Sequence, residues 1–400
     1  MTRTAELDAL TVHGDSPAGW CGRTLPNEFV DEEGRLLAPE ERRPGHSDPR
    51  SPARRVHDDP EVAALRDHLR QHNGMRGLEI CEPSEVERAA RIFRRDGFVV
   101  VRDLLDADAL SRWRAGCARV LRQILEIPGS GGRKYANETG RLPHRYSYGS
   151  SSASRQLLHD PVWASMVDLP ATTPILAEIF GSPGYICVGS GGDLCLPGAI
   201  EYQHLHADGR ESHEMPASRL RQAESLGVEL PGGGASGGLD EQTLRRVIEL
   251  TPQLVIINFL MTDMTWENGP VRQIPATQSS AFDPPSQEEE PEWMRLSTLV
   301  GAPAGAGVFR DHRAWHGGTP NLSREVRAMP NVEYAPAWIG GLREFRKTMP
   351  HEIWETLSPH GQRICRGLKA EPGVWPAGAG VMHPLAGRRL EAKEEVTERP

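Results

Sequence analysis

Tyr202-Gln203-His204-Leu205-His206-Ala207-Asp208 sets an imidazole two residues before a carboxylate, and His316 follows much later in the chain with Arg327 beyond it. Two imidazoles and one carboxylate on one face of an ion suit Fe(II), because the opposite face stays open for a co-substrate and O2. On an extended segment residues i and i+2 point to the same side, so His206 and Asp208 can bind one ion while Ala207 faces away. His204 shares that face; the shorter sequence distance to Asp208 favours His206 and leaves His204 as a structural neighbour. An H-x-D pair is common by itself, and the third ligand is more informative. Gly307-Val308-Phe309-Arg310-Asp311-His312-Arg313-Ala314-Trp315-His316-Gly317-Gly318 reads as an apolar strand running into a histidine before a glycine-rich turn. His312 is the rival ligand, but it would leave Arg327 farther along the chain. Arg327 falls on the next strand, where its fork could grip the far carboxylate of a dicarboxylic 2-oxo acid that chelates the same metal.

Short strands must carry these residues. The pattern predicts them at Phe98–Val101, Tyr185–Val188, Ile200–Leu205, Leu254–Leu260, Val271–Ile274, Gly307–Arg310 and Val326–Tyr334. Ser84-Glu85-Val86-Glu87 is a capping-box type start for a helix carrying Val86, Ala89, Ala90 and Phe93 inward and ending near Asp96-Gly97. Asp106–Leu125 reads as a second amphipathic helix, and Pro174–Phe180 as a short one stopped by Gly181. Many short strands with helices gathered on the N-terminal side predict a mainly β domain with flanking helices, a β-sandwich or jelly roll. Residues 1–80 read as an irregular arm, 81–345 as the domain and 346–400 as a C-terminal extension. Within the domain, 209–250 is a polar insertion placed to act as a lid, with a disordered surface segment as the competing reading. Gly129–Ser154 reads as a loop, either solvated or facing the substrate through Arg145, Tyr146 and Tyr148. Glu288 to Glu290 with Glu292 reads as a solvated acidic loop. The extension, with Trp354, His360 and Trp375, is apolar enough to dock on the domain or to join two copies as a homodimer.

Composition narrows the function. The net charge of -9 comes with no clustered basic stripe, which argues against a nucleic-acid partner. Cys21, Cys81, Cys117, Cys187, Cys195 and Cys365 are scattered without a C-x-x-C pair and read as reduced thiols. The N-terminus has no signal-like apolar run and no window approaches a membrane span, so the expectation is a cytoplasmic protein acting on a small molecule. Arg supplies nearly all the positive charge, with only Lys134, Lys347, Lys369 and Lys393 as lysines, a bias of GC-rich bacterial genomes.

Glu267-Asn268-Gly269-Pro270 before Val271-Arg272-Gln273-Ile274-Pro275, then Trp315-His316-Gly317-Gly318-Thr319-Pro320-Asn321 and Arg327, resembles the phytanoyl-CoA dioxygenase family. Asp96-Gly97-Phe98-Val99-Val100-Val101 after a helix is similar to that family's entry into the domain, and the resemblance spans Glu85 to Trp338. It implies a cupin-like double-stranded β-helix with Fe(II) held by His206, Asp208 and His316. It further implies O2 and 2-oxoglutarate as co-substrates, the far carboxylate on Arg327 and Asn258 helping to seat it. The implied reaction is hydroxylation with release of succinate and CO2; desaturation, ring closure or epimerisation are variants, and Asp208 occupies the position a halide would need. Gly318 stands where some relatives place a hydroxyl that assists the arginine, and the insertion is longer than a minimal member needs. Tyr202, Trp266 and Trp315 beside the motifs, with Arg145, Tyr146 and Tyr148, are candidates to face the substrate; for both tryptophans plain packing is the stronger reading. A free metabolite of bacterial secondary metabolism ranks above an acyl-CoA, for which no basic patch is visible. The alternative is a catalytically silent cupin-like metal-binding sensor or scaffold, against which a retained Arg327 argues.

Overall fold

The computed structural model describes residues 7–8, 10–13, 19–20, 56–125, 145–149, 156–211, 213–230, 239–280, 282–342 and 344–379. Its strands are β1 (Leu7–Asp8), β2 (Thr11–Val12), β3 (Ile80–Cys81), β4 (Phe98–Val101), β5 (Arg145–Tyr148), β6 (Ile186–Cys195), β7 (Val255–Phe259), β8 (Val271–Gln273), β9 (Gly307–Asp311), β10 (His316–Gly318) and β11 (Arg327–Ala335). Helices α1 (Pro60–Gln71), α2 (Val86–Asp96) and α3 (Ala107–Leu125) come early in the chain. Seven strands form one sheet in the order β3-β4-β9-β7-β11-β6-β5, antiparallel except for the β3–β4 pair. β8 and β10 pair separately, and isolated bridges at His206–His316, Ala199–Asn321 and Asn268–Asn321 extend that second layer. The mainly β architecture with flanking helices is as expected. Among the described residues a two-stranded ribbon and single bridges stand where a jelly roll would have a second full sheet.

Alternation divides the large sheet into two chemistries. Val255, Ile257 and Phe259 of β7 join Ala328, Val332 and Tyr334 of β11 in the main apolar core with α2 and α3. Their neighbours Ile256, Asn258, Arg327, Met329, Asn331 and Glu333 line a cavity on the opposite face. Trp113 of α3 meets Phe259 edge-on, ring centroids 4.9 Å apart, and Val120, Leu121 and Ile124 continue that buried stripe. Helix α2 stops at Gly97, whose φ of 80° suits glycine. A Cβ there would also come 2.6 Å from Gln278 Oε1.

Several expectations need correction. Ser84 does not cap α2; the Glu85 carboxylate reaches back to the Glu82 N–H at 2.8 Å and also holds Arg88. Residues 1–80 are not irregular throughout, because α1 is capped by Asp59 and buries Val62 and Leu69 against Trp20 and Leu322. Arg145–Tyr148 is not a loop but the edge strand β5, with Tyr148 deep in the core and edge-on to Trp163. Glycines hid how tightly it packs: a side chain on Gly149 or Gly191 would run into the backbone of the adjoining strand. Ile200–Leu205 is not a strand. Side chains hold it instead, Gln287 donating to Tyr202 O and Arg272 to Gln203 O. The acidic loop is solvated except at Glu290, which is buried against Arg272.

The insertion after Asp208 forms two helices, Ala217–Ser225 and Glu241–Leu250, around a small core of Leu220, Ala223, Val228 and Val247. Among the described residues none from 210 to 250 lines the cavity, and residues 231–238 lie outside the described set. In the extension, Ile364, Cys365 and Leu368 join the main core. The five cysteines among the described residues are free and buried, and no described helix is long and apolar enough to cross a membrane.

The insertion is fastened to the sheet by Arg313, which donates to Asp311 and to Glu211, each at 2.6 Å. Burial alone would raise the Asp311 carboxyl, but Arg313 and His312 outweigh it and hold it below its ordinary 3.8. The stability this carboxylate contributes is therefore complete above that value and is lost as pH falls further below it. Arg313→Met takes the guanidinium from the buried Asp311, while Glu211 keeps Arg219, and is expected to lower the unfolding free energy by about 3–5 kcal/mol in a denaturant titration. A loss under about 1 kcal/mol, the size of a surface pair, would contradict this reading.

Candidate metal centre

The cavity, about 370 Å³, lies between the inner face of the large sheet and the β8–β10 ribbon. Backbone hydrogen bonds draw the segment around His206 onto the turn before β10. His206 N–H donates to His316 O at 3.0 Å, His316 N–H returns the bond to His206 O at 2.9 Å, and Asp208 N–H donates to His312 O at 2.8 Å. The three side chains then converge. Asp208 Oδ1 is 3.7 Å from His206 Nε2 and 3.5 Å from His316 Nε2, and the three ligand atoms lie within 4.8 Å of one another. That spacing is close to what an ion with bonds of roughly 2.0–2.2 Å to nitrogen and oxygen requires.

Each imidazole is oriented by its own chain. His206 Nδ1 lies 3.2 Å from His204 O and His316 Nδ1 lies 3.0 Å from Ala314 O. A proton on Nδ1 donated to these carbonyls leaves the Nε2 lone pairs aimed at the shared point. Burial, reinforced by the Arg310 charge, pushes His316 well below its ordinary 6.5, so it is neutral, the form that binds metal.

Arg310 is the residue that spacing alone did not reveal. Projecting from β9 of the large sheet and almost fully buried, it donates from Nη2 to Asp208 Oδ2 at 2.7 Å. Its Nη1 is 3.0 Å from His316 Nδ1. A metal-bound His316 keeps its Nδ1 proton on Ala314 O, so the contact that persists in a loaded site is the one to Asp208. Burial would raise the Asp208 carboxyl, but Arg310 and the two imidazoles hold it well below the ordinary carboxylate range. With Oδ2 occupied, only Oδ1 faces the imidazoles. A charged residue in the apolar run Val308-Phe309-Arg310 was the available signal, since a buried cation demands an anionic partner.

Of the other sequence candidates, Asn258, Arg327, Arg145 and Tyr146 line the cavity. Arg327 donates from Nε to Gly269 O at 3.1 Å and from Nη1 to Met329 Sδ at 3.3 Å. Among the described residues no carboxylate accepts from it, although it is 4% exposed. Arg145, on the same rung of the sheet through Cys195, spends its Nη atoms on Cys195 Sγ, Glu201 O and Thr319 O. A Cβ on Gly318 would come 2.5 Å from Arg145 Nη1, so the guanidinium in this position leaves room only for glycine. Tyr148, Tyr202, Trp266 and Trp315 do not line the cavity. Tyr202 lies under the Arg272 guanidinium at 5.3 Å, and Trp266 packs near Arg70 and the α1 cluster. The rival ligands are excluded from the group: His204 is exposed, and His312 packs where a side chain on Gly209 would collide with it.

Arg310→Met is expected to weaken Mn(II) affinity about 10–100-fold in calorimetric titration, the usual effect of removing a residue that supports a metal ligand. Arg210→Gln, which breaks only an exposed pair with Asp283, should leave the affinity unchanged. Equal affinity in Arg310→Met and the wild type would contradict the positioning role.

Comparison with known proteins now adds to the geometry. The chain is similar to AviO1 from Streptomyces viridochromogenes Tue57 at 18% identity and TM-score 0.38, over 63% of this chain and 95% of that one. It is similar to SnoN, the non-haem alpha-ketoglutarate-dependent epimerase from nogalamycin biosynthesis, at 18% identity and TM-score 0.38, over 64% and 82% of the two chains. EctD from S. alaskensis, solved with 2-oxoglutarate and 5-hydroxyectoine, gives 16% identity and TM-score 0.39 over 62% and 75%. None of the curated proteins compared matches the chain. The phytanoyl-CoA dioxygenase model matches residues 93–329. That match takes in both halves of the metal group and Arg327, and as it spans more than half of the 400 residues, this chain belongs to the phytanoyl-CoA dioxygenase family.

Proposed function

We propose that the chain is an Fe(II)- and 2-oxoglutarate-dependent oxygenase that hydroxylates, or otherwise oxidises, an unactivated C–H bond of a small molecule in bacterial secondary metabolism. The observation that carries this reading is a single cavity shared by the His206–Asp208–His316 group and Arg327, a buried cation with no carboxylate partner among the described residues. The bacterial setting rests on the Arg-rich, Lys-poor composition and on family habit. The large sheet with its opposing ribbon is read as a double-stranded β-helix.

His206, Asp208 and His316 would hold the iron from one side. Bound Fe(II) supplies the oxidising chemistry, by which 2-oxoglutarate, O2 and a C–H bond become succinate, CO2 and a C–OH group. The protein's own part is positioning. Arg310 keeps Asp208 ionised and presents one of its oxygens, leaving the face toward the cavity open. Arg327 receives the far carboxylate of the co-substrate through its fork, with Arg145 on the same rung packed behind Gly318 and Asn258 farther along the cavity opposite Asn331.

Anaerobic titration of the wild type with Fe(II) and 2-oxoglutarate is expected to give the visible charge-transfer band of the chelate, and His206→Ala to abolish it. Arg327→Met is expected to retain metal binding and to weaken 2-oxoglutarate binding about 100-fold, the scale for truncating one partner of a buried charged pair. A wild type without the band, or an undiminished band in His206→Ala, would sink the oxygenase reading.

A further inference from the structure

The cavity has a second polar end that the metal and co-substrate do not use. Arg327, Met329, Asn331 and Glu333 form one cavity-facing row on β11. Glu333 sits on the same rung as Ile256 and Arg310, whose guanidinium ends on Asp208, whereas Arg327 lies six residues away at the other end of the row. A co-substrate reaching from the metal toward Arg327 therefore leaves Glu333 to whatever else enters.

The Glu333 carboxylate is the anionic group at this end, with the Asn331 and Gln273 amides near it along the cavity wall. Among the described residues the Glu333 carboxylate makes no ion pair, and it lies at Gly189, where a Cβ would come 2.6 Å from Oε2 and 3.0 Å from the Gln156 amide nitrogen. Asn331 Oδ1, two residues back on the same row, is buried with no partner. Gln273, 1% exposed and directly across the ribbon from His316, also lines the cavity and has a buried Oε1 with no hydrogen-bond partner. The cations nearby are committed: Arg310 to Asp208, and Arg145 to sulfur and carbonyl oxygens. A carboxylate lining a cavity with no cation paired to it fits a ligand that brings its own positive charge, and the neighbouring amides can turn an oxygen toward that ligand.

We propose that Glu333, with Asn331 and Gln273, forms a subsite for a protonated amine, so that the molecule oxidised beside the metal is a small ammonium-bearing compound. This rests on the oxygenase reading for the word "oxidised", while the ammonium preference is a property of the cavity itself. Burial, with the Asp208 charge adding to it and Arg310 opposing, pushes the Glu333 carboxyl up to about 7. An ammonium partner reverses that, favouring the carboxylate by direct pairing.

The test is calorimetric, at about pH 8 so that Glu333 is largely ionised. Cyclohexylamine is compared with cyclohexanol and benzylamine with benzyl alcohol, on metal-free protein and on protein loaded with Mn(II) and 2-oxoglutarate. Wild type is expected to bind each amine at least about tenfold more tightly than its alcohol, the scale of one charge-assisted hydrogen bond. Glu333→Gln should erase the difference, Glu333→Asp should keep part of it, and the exposed control Asp283→Asn should keep all of it. Absence of an amine preference in the wild type, or its survival in Glu333→Gln, overturns the proposal. Mn(II) and 2-oxoglutarate binding without the preference overturns the ammonium subsite alone; the preference without their binding overturns the oxygenase reading alone.

Discussion

One guanidinium fixes the carboxylate on which the proposed metal site depends. Arg310 projects from the centre of the large sheet and ends on Asp208, a residue of the opposite layer, 2.7 Å from its Oδ2. Without it, Asp208 would face burial beside the two imidazoles with less to keep it charged, and both of its oxygens would be free to turn toward an ion. With it, the carboxylate stays ionised and presents one oxygen, and the two layers are joined where the chemistry would occur. The geometry is a division of labour: the ribbon supplies the histidines, and the sheet supplies the charge that fixes the carboxylate.

The same economy runs through the rest of the interior. One face of the sheet is apolar and packs on α2 and α3, which gives the fold its hydrophobic driving force. The layers around the cavity carry an unusual load of buried charge, and most of their arginines are answered locally. Arg272 meets Glu290 and Gln203 O, and Arg313 meets Asp311 and Glu211, so the turn bearing the ligands is pinned from both sides. Such pairs add little net stability over apolar packing, but losing one partner is costly, and they fix a single arrangement. Against that background Arg327 and Glu333 stand out as charged side chains without opposite-charge partners among the described residues. Each faces the cavity, one at either end of the β11 row.

Much of this was legible in residue order. Strands β4, β7, β8, β9 and β11 and helices α2 and α3 follow their hydrophobic periods closely, and the metal group with Arg327 follows from ligand type and spacing. The misreadings share a physical cause. Arg145–Tyr148 looked like a loop because glycines and serines surround it, yet those glycines allow β5 and β6 to approach. Ile200–Leu205 looked like a strand because its residues alternate, but side chains from elsewhere in sequence hold its carbonyls. Glu290 looked solvated among other glutamates because its partner Arg272 lies on a different strand. Glu333 and Arg310 were passed over although each interrupts a strand pattern with a charge. Long-range pairing of this kind leaves no local period, and only a buried charge in an apolar run hints at it.

A crystal structure of the protein with Mn(II) and 2-oxoglutarate, the metal located by its anomalous signal, tests the account most directly. The account requires one ion bound by His206 Nε2, His316 Nε2 and a single Asp208 oxygen, with Arg310 still on the other oxygen and the far carboxylate of 2-oxoglutarate on Arg327. An ion held through His204 or His312, both Asp208 oxygens on the metal with Arg310 displaced, or a co-substrate carboxylate away from Arg327 would contradict it.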